Sequence, residues 1–122
     1  MGRAACVIVF NEDRTKVLSV SRKGDPTDVG FPGGKVEDGE TFERAAAREL
    51  EEETGLVADE LKFVYMDDDG LGFVTACFEA RVFGEIDTDE EGVVRWVVPK
   101  TLLRGSFANY NERVFAALGL RV

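Results

Sequence analysis

Residues 41–54 are the segment that most constrains the fold. Thr41 can cap a helix or join its first turn, and Gly55 suits its C-terminal stop. At roughly 100° per residue, Glu49, Glu52 and Glu53 fall on one face, together with Phe42, Ala45, Ala46 and Leu56. Glu43, Arg44, Ala47, Arg48, Glu51 and Thr54 point the other way or lie on the flanks. One stripe is thus apolar in its first half and acidic in its second. The apolar half must dock on a core, and docking carries the acidic half toward the body of the protein or the rim of a cleft.

The rest of the chain supplies partners for that helix. Residues 4–10 and 16–21 read as strands joined by a turn at Asn11-Glu12-Asp13-Arg14. Lys23 to Val29 reads as a loop, and the glycine-rich run from Gly30 to Glu40 as further irregular chain. Strand-like runs follow at 61–66, 72–83 and 93–98, with a hairpin turn at Asp67-Asp68-Asp69-Gly70. Pro99 opens a short helical turn, and Asn109 to Leu118 forms a second helix. The order of strands, helix, strands and helix predicts an α/β (α+β) class, a mixed sheet with helices packed on it. At 122 residues the chain fits one domain, 1–122, with no repeat or linker.

Composition narrows the chemistry. There is no histidine, which removes Ser-His-Asp and Cys-His nucleophile systems and most zinc sites. Cys6 and Cys77 lie in apolar strand-like runs and read as reduced core residues. No run approaches the roughly 18 apolar residues of a membrane span, and the N-terminal stretch lacks the features of a signal peptide. The chain is therefore expected to be cytoplasmic, with no membrane partner. A net charge of −9 opposes an extended nucleic-acid surface, although a bound metal can reverse the field locally.

An acidic run is usually a solvated face. Here three like charges are carried inward, where they repel and lose hydration, so they need a cation. The i, i+3, i+4 spacing of Glu49, Glu52 and Glu53 lets the carboxylates converge, and Arg48 can reach Glu52 one turn on. Oxygen-only ligands favour Mg²⁺, with Mn²⁺ able to substitute, over zinc. Calcium fits less well, because the segment is a helix face and not a twelve-residue EF-hand loop.

Gly34, Glu40, Arg48-Glu49-Leu50, Glu52-Glu53 and Gly55-Leu56 stand at the spacing of the 23-residue Nudix box, and every defined position of that motif is filled. The chain thus resembles the Nudix hydrolase family. Phe31-Pro32-Gly33-Gly34-Lys35-Val36-Glu37 looks like the approach segment of its MutT-like members. The resemblance covers essentially the whole chain. It implies an α/β/α sandwich with a mixed sheet between helices, and hydrolysis of nucleoside diphosphate-linked compounds.

Carried over by position, the resemblance makes Glu49, Glu52, Glu53 and the Gly33 carbonyl metal ligands. Arg48 would orient the glutamates and Glu40 would support the junction of loop and helix. Gly33, Gly34 and Gly39 would let the backbone make close turns. With no histidine, a carboxylate must serve as general base. Glu52 or Glu49 is the first choice, while Glu90 and Glu91 lie outside the box; Glu91 is also a possible extra ligand, against a plain reading as a solvated acidic loop.

Arg22 is the candidate phosphate contact, with Lys35 a weaker one. Phe107 to Val114 resembles the stretch in which a MutT asparagine bonds an oxidised guanine, and Asn111 matches that position; its bland alternative is a helix cap. Phe31, Phe73, Phe107, Tyr110 and Trp96 are candidates to stack on a base, although such residues are more often simply core, and Trp96 reads as mainly structural. These features imply a nucleotide pyrophosphohydrolase releasing a monophosphate and pyrophosphate, with 8-oxo-dGTP a candidate substrate. ADP-ribose, dinucleoside polyphosphates and RNA 5′ ends are alternatives, and a non-catalytic nucleotide-binding regulatory module is the rival of another class. The small-molecule nucleotide is the expected partner, on a monomer or homodimer.

Overall fold

The computed structural model describes residues 2–22, 25–87 and 94–121. Its elements are β1 (Gly2–Ile8), β2 (Val17–Arg22), β3 (Asp25–Gly30), β4 (Gly33–Lys35), α1 (Phe42–Thr54), β5 (Val57–Asp68), β6 (Phe73–Phe83), β7 (Val94–Val97), a 3-10 turn (Pro99–Leu103) and α2 (Ala108–Ala117). A four-stranded mixed sheet has the order β4-β1-β6-β5, with β1 and β6 parallel and the other pairs antiparallel. A three-stranded antiparallel sheet has the order β3-β2-β7. The expected mixed sheet is the four-stranded one; the second sheet is an addition to that reading.

Period-2 alternation splits the four-stranded sheet into two apolar faces. Ala5 and Val7 of β1, with Ala76, Phe78 and Ala80 of β6, pack against Ala45, Ala46 and Leu50 of α1. Cys6 and Ile8, with Cys77, lie on the other side against Leu102 and against Val114 and Phe115 of α2. The sheet is therefore sandwiched between the helices. Burying one Leu or Phe side chain contributes about 1.5–3 kcal/mol, so Leu50 and Phe115, both fully buried, are main anchors of the two faces. Cys6 and Cys77 are register partners, buried and unbridged. Burial pushes the Cys77 thiol up from its usual range. Among the described residues no helix is long and apolar enough to cross a membrane.

Two strands lie where the sequence reads as irregular chain. Asp25–Gly30 pairs with β2, and Gly33–Lys35 pairs with β1 through Cys6↔Gly33 and Ala5↔Gly34. Proline, aspartate and glycine are poor strand formers on their own; here the neighbouring strands supply the pairing. Strand β5 runs well beyond 61–66 and takes in Asp67 and Asp68, so the reversal sits at residues 69–72.

Helix α1 has the caps its sequence suggests. The Thr41 hydroxyl accepts from the Arg44 N–H at 3.1 Å, and Gly55 closes the helix at φ 83°. Its buried stripe, however, is Ala45, Ala46, Leu50 and Thr54. Thr54, expected outward, is fully buried because its hydroxyl donates to the Leu50 carbonyl at 2.6 Å and accepts from the Leu56 N–H at 3.1 Å. The stripe is thus rotated toward Leu50, which places Glu52 on its edge with 56% of its side chain exposed.

Candidate active site

The site is organised by Arg48. Its Nε donates to Glu40 Oε2 at 2.7 Å and its Nη2 to Glu40 Oε1 at 3.0 Å, a two-pronged carboxylate grip. Nη2 also donates to the Lys35 carbonyl at 3.0 Å, tying the helix to β4. Nη1 donates to Glu49 Oε1 at 2.9 Å and reaches Glu52 at 3.3 Å, with Glu37 at 3.6 Å. The side chains of Arg48, Glu40 and Glu49 are 23%, 17% and 16% exposed, so these contacts are partly screened from water.

This grip has electrostatic consequences. The Arg48 guanidinium, helped by the Glu37 N–H, lowers the Glu40 carboxyl to about 2. Arg48 is itself raised above its ordinary value, chiefly by Glu40. Glu40 therefore stays ionised at neutral pH and is a poor proton acceptor.

The opposite wall is the backbone of Gly33 and Gly34. The Gly33 N–H donates to Glu53 Oε1 at 2.7 Å. The Glu49 carboxylate lies against Gly34 so closely that a Cβ there would sit 2.6 Å from it. At Gly33 an added Cβ would overlap the Ala5 carbonyl and approach Cys6 Cα at 2.8 Å. Both positions need glycine for close approach and not for an unusual φ.

The donor set fits a hard divalent cation. Glu37, Glu40, Glu49 and Glu52 surround one guanidinium and Glu53 is bonded to the Gly33 N–H, so the local charge is strongly negative and every side-chain ligand atom is oxygen. Among the described residues no three side-chain ligands already converge on one point. Magnesium makes no such demand, since it takes one or two protein carboxylates and keeps several waters.

A cleft of about 420 Å³ opens from the same two glycines. It gathers Phe31, Lys35 and Asn111, three of the residues singled out for substrate contact, with Phe73, Phe107 and Tyr110. Phe31 is held edge-on against Phe115 with centroids 5.5 Å apart. Tyr110 packs on Tyr65 at 5.8 Å, its hydroxyl lies 3.6 Å from Cys6 Sγ, and burial pushes its pKa up. Asn111 is buried and is not the helix cap, a position held by Phe107; its Nδ2 donates to the Leu102 carbonyl at 2.9 Å. Trp96 lies in β7 of the other sheet, pairs with Leu18, does not line this cleft, and is 38% exposed.

The backbone of Arg22 ends β2, but its side chain lies outside the described residues, as do Glu90 and Glu91. Sequence reasoning missed Asp67, which also lines the cleft. An Asp-Asp-Asp-Gly run carries a turn signal, and nothing in it distinguishes the first aspartate as a strand residue.

Comparison with known proteins agrees with this architecture. A family model described as NUDIX domain matches residues 1–118. An uncharacterized Nudix hydrolase of Streptomyces coelicolor is 34% identical over 88% of this chain and 66% of its own length. An ADP-ribose pyrophosphatase of Methanocaldococcus jannaschii is 50% identical over 38% of this chain and 28% of its own. The chain thus spans about two thirds or less of the length of these curated relatives. A solved MutT structure, from work on Aliivibrio salmonicida and Vibrio cholerae, superposes with a TM-score of 0.78 at 28% identity, covering 94% of this chain and 97% of that one.

Proposed function

The chain belongs to the NUDIX domain family, and on that premise we propose that it is a Mg²⁺-dependent pyrophosphohydrolase of nucleoside triphosphates, releasing the monophosphate and pyrophosphate. One observation carries the reading: the glutamate cluster around Arg48 and the aromatic cleft share the Gly33-Gly34 backbone. A phosphate chain can lie on the acidic side while its base occupies the cleft.

Mg²⁺, or Mn²⁺ in its place, would be held by Glu49, Glu52, Glu53 and the Gly33 carbonyl, and would supply charge neutralisation at the phosphate oxygens and a more acidic bound water. Arg48 holds Glu49 and Glu52 in place through Nη1. Glu40 anchors Arg48 and, held at about 2, is unsuited to take a proton. Glu49 is bound to Arg48 and Glu53 to the Gly33 N–H. Glu52 is the most exposed of the three helix carboxylates facing the site, has only long contacts to Arg48, and is our general base. As the water oxygen bonds to phosphorus, the bridging P–O bond between the α and β phosphates breaks, pyrophosphate leaves, and the water's proton passes to Glu52. Arg22 and Lys35 would meet the phosphates, Phe31 the base face and Asn111 its edge; Glu91 keeps its place as an alternative base or extra ligand.

Among substrates, a guanine nucleotide such as 8-oxo-dGTP is favoured by the Asn111 amide in the cleft. ADP-ribose and dinucleoside polyphosphates compete with it. RNA 5′ ends are disfavoured by the net charge of −9, which repels a polynucleotide beyond the site. The test is incubation with Mg²⁺ and a panel of these compounds, resolving products by chromatography. Monophosphate and pyrophosphate in equal amounts support the proposal. No turnover of any compound overturns it in favour of a non-catalytic binding module, and turnover of ADP-ribose alone overturns the substrate assignment.

A further inference from the structure

Strand β5 changes face partway along. Leu61 pairs with Ala80 and Phe63 with Phe78, so these odd-numbered residues lie on the α1 face, where Phe63 and Phe78 meet edge-on at 5.9 Å. The register shifts between Phe63 and Tyr65, with Val64 as the extra residue. Beyond it Tyr65 pairs with Cys77 and Asp67 with Thr75, which puts the odd-numbered residues on the α2 face. Under unbroken alternation Asp67 would stand on the α1 side. A bulge that re-aims side chains is a recurring device beside functional sites.

The residue so delivered is a carboxylate at the wall of a cleft that holds four aromatic rings, with Lys35 and Asn111 also on its lining. Its Oδ1 accepts from the Tyr65 hydroxyl at 3.5 Å, and among the described residues no lysine or arginine pairs with it. Asn111 presents a second acceptor. Its Nδ2 is turned to the Leu102 carbonyl, and among the described residues nothing donates to its Oδ1. Aromatic rings suit the faces of a planar base, while two acceptors demand donors at its edge.

From this geometry we propose that Asp67 is a specificity-determining residue, accepting the N1–H and 2-amino hydrogens of a guanine-type base. Two adjacent donors match the two oxygens of a carboxylate. Adenine and cytosine place an acceptor beside their donor, and uracil and thymine flank one donor with acceptors, so each would set a lone pair against the carboxylate. A site built to bond a substrate donor rejects the analogue that lacks it, because the protein group is then left unpaired. The inference rests on the reading of this cleft as a nucleotide site.

The experiment compares dGTP, dITP and dATP, the second lacking only the 2-amino group, with wild type and Asp67→Asn, an isosteric change. A parallel arm titrates dGMP and dIMP into metal-free protein by NMR, which needs no turnover. Wild type is expected to favour dGTP over dITP about tenfold or more in kcat/KM, mostly through KM, and dGMP over dIMP in binding. In Asp67→Asn both ratios should fall to within about twofold of unity, with the melting temperature retained. If no nucleotide is hydrolysed while the binding ratio and its loss persist, the hydrolase reading fails and the role of Asp67 stands. Equal handling of dGTP and dITP by wild type, a preference for dATP, a ratio that survives Asp67→Asn, or no detectable dGMP binding overturns it.

Discussion

Gly33→Ala and Gly34→Ala should fail in opposite ways, although the positions are adjacent in one short strand. At Gly34 the new Cβ would lie 2.6 Å from the Glu49 carboxylate, while ordinary contact begins at 3.4 Å, so the carboxylate must retreat by about 0.8 Å (3.4 − 2.6). It is the far end of a flexible side chain and can do so. The backbone of Gly34 is not left-handed, so alanine fits it and gains about 0.4–1 kcal/mol by restricting the unfolded chain. That gain is offset by a loosened 2.9 Å bond from Arg48 to Glu49, and net stability should stay within about 1 kcal/mol of wild type. Activity should not: misplacing a catalytic group by about 1 Å can cost about 10²-fold. At Gly33 the obstruction is the Ala5 carbonyl and Cys6 Cα, backbone atoms in the paired strand β1. Overpacking there should cost about 1–3 kcal/mol, toward the upper end because the obstructing atoms are backbone. Urea denaturation and kcat/KM on the best substrate, measured for both variants, check this. A Gly34→Ala protein with wild-type activity, or one that unfolds as readily as Gly33→Ala, would refute the reasoning.

Further outcomes follow from the same contacts. Arg48→Lys keeps the charge but loses the fork that holds Glu40, Glu49 and the Lys35 carbonyl together, and steady-state assays should find kcat reduced at least about tenfold. Because the folded-state pKa of Glu40 is depressed, its pairing with Arg48 stabilises fully above about pH 4.5 and is lost as pH falls toward about 2; the melting-temperature gap between wild type and Glu40→Gln should shrink across that window. Asn111→Ala leaves the buried Leu102 carbonyl without its 2.9 Å donor, and chemical denaturation should read a loss of about 1–3 kcal/mol. Leu50→Ala should cost about 2–5 kcal/mol in the same assay, since the side chain is fully buried between α1 and the sheet.

The extent of the acidic helix was legible, because the caps Thr41 and Gly55 are local properties, but its buried stripe was not, since it runs through Leu50 and Thr54 and leaves Glu52 largely exposed. The sheet was less legible. Strands Asp25–Gly30 and Gly33–Lys35 contain proline, aspartate and glycine, and only their pairing with β2 and β1 makes them strands. Helical angle puts Thr54 on the far side or a flank, yet it is buried, with its hydroxyl donating to the Leu50 carbonyl. The bulge at Val64 has no glycine or proline to mark it, so neither the change of face nor the delivery of Asp67 could be read from residue types. Phe31, Lys35 and Asn111 were individually visible, but their meeting in one cleft depends on the docking of α2.

The central claim is that carboxylates of α1 carry out hydrolysis at a cation site, with Glu52 taking the proton. The direct measurement is kcat at saturating Mg²⁺ for wild type and Glu52→Gln on dGTP, with products resolved and folding checked by circular dichroism. Wild type should release dGMP and pyrophosphate, and the variant should fold normally yet turn over at least about 10²-fold more slowly. Near-normal turnover by the folded variant would contradict the claim.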